Sequence, residues 1–154
     1  MEALQLLQNK LIGNFYSRFS SGDSFELRLD NDLWLIAQNI VNKDETTFNK
    51  FLEQGYQSYS DAIDQELIAK NISITALMRQ EIIDAALDND CALIITFKNG
   101  EELNLATDTD IVDWHWALKR TLSDPYGEFI VGCFNQGEVE ISKRYKSKYY
   151  EKGD

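Results

Sequence analysis

At 154 residues, 44% of them hydrophobic and 12% aromatic, the chain has enough apolar material to fill one core, and neither disulfides nor a metal are needed to hold it together. A formal charge of −11 argues against a polyanion-binding protein, and two cysteines, Cys91 and Cys133, are too few for a disulfide framework. No apolar run reaches the roughly 18 residues of a membrane span.

The first residues carry Glu2 and no basic n-region, so no secretory signal is expected. A reducing, cytoplasmic setting is the simplest expectation. One proline, Pro125, and no Gly/Ser-rich stretch leave no linker between folding units. The expected organisation is one globular domain over residues 1–142 and a basic, flexible tail over 143–154. That tail holds five Lys/Arg against two acids, which leaves the body before it at −14. The densest acidic stretch runs from Glu81 to Leu118, where nine carboxylates face the single base Lys98. Such a field keeps a protein soluble, and it also attracts basic partners and repels phosphate backbones.

In chain order, Leu4, Leu7 and Leu11 recur at helical spacing and predict a short amphipathic helix that runs into a strand. After the polar turn Ser21-Gly22-Asp23, Phe25, Leu27 and Leu29 alternate with Glu26 and Arg28. Asp30-Asn31-Asp32 then interrupts, and Leu33 and Leu35 alternate with Trp34 and Ile36. Two half-buried strands around a polar turn have this pattern.

About seventy residues later the pattern returns. Leu93, Ile95 and Phe97 alternate before Asn99-Gly100, and Leu103 and Leu105 follow, with Asp88-Asn89-Asp90 as the upstream turn. Asn-Gly supplies the positive φ that a tight hairpin turn demands. The predicted fold class is therefore α+β, with two antiparallel three-stranded meanders over residues 11–39 and 81–107.

Two helices are predicted between the meanders. Asp44 or Thr46 can cap the first, which carries Phe48, Phe51, Leu52, Tyr56 and Tyr59 and is weakened by Gly55. Ser60 can cap the second, with Ile63 and Leu67 inward and Asn71 at its end. The stretch ISITALMRQE fits helix and strand alike. A further helix is predicted from about 110 to 121, stopping before Asp124-Pro125. A C-terminal hairpin turning at Gln136-Gly137 closes the domain.

Chemistry-bearing constellations are scarce. Nucleophilic catalysis of the Ser-His or Cys-His kind rests on one imidazole, His115. On the helical wheel it shares a side with Ile111, Leu118 and Leu122, which suits a buried structural histidine. Neither cysteine sits in a CxxC or near a histidine in sequence, and both read as small buried residues.

Zinc and calcium spacings are absent. Asp108, Asp110 and Asp113 have the oxygens to hold a hard cation, but capping and the helix dipole explain acids at a helix start, and no metal site is expected. No glycine-rich phosphate loop occurs, and no cofactor is expected. Paired carboxylates leave a small hydrolytic enzyme open. The tail, with Tyr145, Tyr149 and Tyr150 among its bases, has a composition able to bind nucleic acid, but the body opposes it.

Trp114-His115-Trp116 is the most distinctive local feature. Two residues on a helix span about 200°, so the indoles cannot share a face. Trp114 leans toward Ile111 and Leu118, and Trp116 turns outward. An exposed tryptophan beside Glu101, Glu102, Asp108, Asp110 and Asp113 has the composition of a partner-binding surface. The other reading is that Trp116 covers a neighbouring strand or the tail.

Taken with the size, acidity, meanders and missing catalytic residues, this Trp-with-acids surface resembles that of small bacterial immunity proteins of polymorphic and contact-dependent toxin systems. The resemblance implies a non-enzymatic cytoplasmic inhibitor whose partner is a basic toxin domain, with no role at a membrane or on nucleic acid. A structural or adaptor subunit of a larger assembly is the alternative to that reading and to the carboxylate enzyme.

Overall fold

A computed structural model describes residues 2–57, 63–110 and 113–145. The chain enters through α1 (Glu2–Leu11), whose inward stripe buries Leu6, Leu7 and Leu11. Three strands follow, β1 (Tyr16–Ser21), β2 (Phe25–Leu29) and β3 (Trp34–Ala37), then the short β4 (Ile40–Val41). After α2 (Glu45–Gly55) and α3 (Gln65–Ala76) comes a second run of β5 (Ile82–Leu87), β6 (Leu93–Phe97) and β7 (Glu102–Leu105). Strands β8 (Trp116–Lys119), β9 (Phe129–Asn135) and β10 (Glu138–Ile141) complete the fold.

Both predicted meanders form, in separate antiparallel sheets. The first joins β8, β9 and β10 in a six-stranded sheet ordered β1-β2-β3-β8-β9-β10, and the second makes a four-stranded sheet ordered β4-β7-β6-β5. One hydrophobic cluster serves both, from Leu27, Leu35, Trp116 and Val131 in the first to Leu93, Ile95, Leu103 and Leu105 in the second. Gly100 takes the positive φ expected of its turn (+86°), as does Gly137 (+82°).

The helix predicted over 110–121 is corrected. Residues 116–119 are an interior strand, paired with β3 through Leu35↔Leu118 and with β9 through Leu118↔Val131. Trp-Ala-Leu-Lys fits a strand because alternation sends Trp116 and Leu118 into the shared core and Ala117 and Lys119 to the outer face. That outer face is covered as well. Lys119 has 0% exposure, and its Nζ donates to the carbonyls of Ser123 (3.0 Å) and Asp124. Tyr126 stacks on Phe134 at 4.7 Å, and Gly132 lies beneath that ring. With both faces buried, four consecutive residues lose the polar alternation that marks a strand in sequence. Leu122, expected on the apolar side of the helix, is exposed.

The intervening helices form with different caps. Asp44 makes no side-chain cap to α2. Asn42 instead shapes the approach to the helix as an Asx turn, its Oδ1 accepting the Asp44 N–H (2.9 Å), while Glu45 Oε1 reaches back to accept the Asn42 N–H (2.9 Å). Asp64 caps α3, accepting the Leu67 N–H at 2.8 Å, and the expected cap Ser60 lies outside the described residues. Helix α3 continues past Asn71 to Ala76, which resolves the ambiguous stretch as helix up to that residue. Ile63 is exposed where it was expected inward, and Leu67 packs against the core. Tyr145 in the basic tail is buried, its hydroxyl accepting from Arg120 Nε at 2.8 Å. Tyr149 and Tyr150 lie outside the described residues.

Candidate functional site

Strand register divides the acidic stretch between two ends of the four-stranded sheet. Glu81, Glu101 and Glu102 stand at the end where β6 turns into β7, beside two lysines. Lys43 pairs with Glu101 at 3.2 Å, which raises its pKa, and Lys98 lies 4.0 Å from Glu81. Asp84, paired with Thr96, lies nearer this end too, and the opposite end, roughly 15 Å away along β6, gathers the remaining acids.

Asp88 and Asp90 sit in the β5–β6 turn, and the Asp90 carbonyl accepts the Thr107 hydroxyl (2.8 Å) and the Gly137 N–H (3.1 Å). These bonds bring the segment after β7, with Asp108 and Asp110, and the β9–β10 turn, with Glu138, to one place. Asp113 approaches through the start of β8. All six carboxylate residues are exposed, and the segments 88–92, 106–110, 113–115 and 135–138 that carry them contain no lysine or arginine.

Of the sequence-predicted binding residues, Asp108, Asp110 and Asp113 therefore share one acidic pole, and Glu101 and Glu102 do not belong to it. Trp116 is not a surface anchor. It has 0% exposure, and its Nε1 donates to the Cys91 carbonyl at 2.8 Å, directly beneath the pole. The order of exposure expected for the two indoles is reversed, since Trp114 is only half-buried. The helical wheel failed here because β3 and β9 flank the segment and impose a period of two.

His115 is buried at 5% exposure as expected, and burial lowers its pKa, with the nearby Asp108 pulling the other way. Its Nδ1 has no hydrogen-bond partner among the described residues. Cys133 is buried, its thiol pushed up to about 12 mainly by desolvation, and Cys91, partly exposed, is raised for the same reason and by Asp88 and Asp90. Two thiols held protonated are poor nucleophiles and poor metal ligands. Among the described residues no group of three or more His, Cys, Asp or Glu is placed to hold a metal, and no helix is long and apolar enough to cross a membrane.

Sequence reasoning missed the most exposed aromatic among the described residues. Phe51 on α2 is 68% accessible, on a helix that buries none of its residues. The signal was present in Phe48, Phe51 and Leu52, which span more apolar width than α3 alone covers. Comparison with protein-family models, with curated proteins and with solved structures finds no match to this chain.

Proposed function

We propose that this protein acts by stoichiometric binding of a basic protein partner, in the manner of the small immunity proteins it resembles, and that the partner approaches the acidic pole formed by Asp88, Asp90, Asp108, Asp110, Asp113 and Glu138. The supporting observation is the convergence of four separate segments, none carrying a lysine or arginine, on one end of a well-packed double sheet. A pole of one sign steers a basic partner during encounter and disfavours partners of like charge. The same charge at the Glu101 end is partly neutralised by Lys43 and Lys98.

Affinity capture of the native protein, followed by mass spectrometry and then surface plasmon resonance with the captured partner, tests this reading. The expected result is one basic protein bound one to one, with an association rate that falls steeply between low and physiological salt. An acidic partner, or binding that ignores salt, overturns it. Turnover of a small substrate lost on mutating a single carboxylate would favour the enzyme alternative instead.

A further inference from the structure

A cleft of about 410 Å³ opens between the β1–β2 turn and the first turns of α3. Its apolar walls are Phe25 and Leu67, with the exposed Ile63 at the rim, and Asp23, Asp64 and Glu66 stand around it. Lys70 also lines it, but its charge is already met. Its Nζ donates to the Ile40 carbonyl (2.8 Å) and to Glu45 (3.0 Å).

Asp64 spends one oxygen on the α3 cap, whereas Asp23 and Glu66 have neither an ion pair nor a side-chain hydrogen bond among the described residues. Asn71 also lines the cleft, its Oδ1 shut off from solvent and without a donor among the described residues. The cleft thus presents apolar walls with Asp23 and Glu66 at its mouth, two exposed carboxylates that no cation meets among the described residues.

Position strengthens the chemistry. Phe25 pairs with Ala37, Ala37 with Trp116, and Trp116 with Cys133, so the β1–β2 turn stands at the same end of the six-stranded sheet as Asp113 and Glu138. Strand β2 is two strands from β8, about 10 Å. A body resting on the acidic pole reaches the cleft without turning the molecule.

We infer that this cleft receives an arginine side chain of the basic partner, its stem against Leu67 and Phe25 and its guanidinium between Asp23 and Glu66. Guanidinium is the cation that suits the site. It is planar, presents five donors in a fixed fork, and gives up its hydration more readily than an ammonium does. The cleft volume lies at the low end of the roughly 300–1,000 Å³ of small-ligand pockets, enough for one extended side chain with its solvent.

The inference rests on the proposed function for its biological partner, but the site is testable without it. N-acetyl-arginine-amide is titrated into the ¹⁵N-labelled full-length protein, with N-acetyl-citrulline-amide as the neutral isostere. Saturable amide shifts confined to Gly22, Asp23, Leu67 and Asn71 are expected with the arginine probe, with a Kd on the order of millimolar. Citrulline should bind at least tenfold more weakly, and Asp23→Asn/Glu66→Gln, two exposed positions that leave the core intact, should weaken the arginine probe by a similar factor. Shifts that fail to saturate, that are equal for citrulline, or that survive the double substitution overturn the inference. Saturable arginine binding with no basic protein captured would sink the partner reading alone, and a basic partner captured with no arginine binding would sink the cleft alone.

Discussion

The indole of Trp116 and the carbonyl of Cys91, 2.8 Å apart, tie the central strand of one sheet to a turn of the other. Cys91 holds a left-handed backbone (φ +62°), which aims that carbonyl inward beneath the acidic pole. The pole is thus built on a fixed base. Replacing Trp116 with Phe leaves a buried carbonyl without its donor and should cost about 1–3 kcal/mol. Chemical denaturation measures the loss. Iodide quenching of single-tryptophan variants should find Trp114 the more accessible indole.

Much of the architecture was legible because it follows period and turn chemistry. Asn99-Gly100, Gln136-Gly137 and the two runs of Asp and Asn fall at the observed turns, since those residues tolerate the backbone that turns demand. What was hidden depended on neighbours distant in sequence. Trp116-Ala-Leu-Lys119 is covered on both faces, so neither period is visible in it, and Lys119 reads as solvent-facing until the Ser123 and Asp124 carbonyls are seen to hold it. The acidic stretch was visible as composition only. Antiparallel pairing of β5, β6 and β7 decides which acids meet, and it separates Glu101 from Asp108 although they are seven positions apart.

A buried ion pair joins the two helices to β4. Lys70 and Glu45 meet at 3.0 Å with side chains 9% and 14% exposed. Removing one partner strands the other, so Lys70→Met should destabilise by about 3–5 kcal/mol. Lys70→Met/Glu45→Leu should recover much of that loss. A double-mutant cycle by urea unfolding gives the coupling, and additive effects would show that the two groups act independently.

His115 gives the fold a pH dependence of defined sign. Its folded-state pKa lies below the ordinary 6.5, chiefly through desolvation. The associated stability is complete above about pH 6.5 and is lost as pH falls through the folded-state value, because the unfolded chain takes up the proton first. Denaturation midpoints between pH 7.5 and 5.5 should decline in the native protein, and His115→Gln should flatten that slope.

Gly132 lies under an aromatic stack. A Cβ there would stand 2.9 Å from Phe134 Cζ and 3.3 Å from the Ala117 Cβ, and Tyr126 and Phe129 hold the Phe134 ring from other sides. Gly132→Ala should therefore cost roughly 1–3 kcal/mol through overpacking. Adding Phe134→Leu should relieve part of the clash, which thermal melts of the single and double variants would register.

The most direct test of partner binding compares two charge reversals of equal size at opposite ends of the molecule. Asp88, Asp108 and Asp113 are changed to lysine in one variant, and Glu81, Glu101 and Glu102 in the other. Association rates with the captured partner are then followed by surface plasmon resonance at physiological salt. If the pole receives the partner, the first variant should associate roughly tenfold or more slowly, while the second stays within about threefold of the native protein. Equal slowing in both variants, or no slowing in either, would contradict the assignment of the pole as the binding surface.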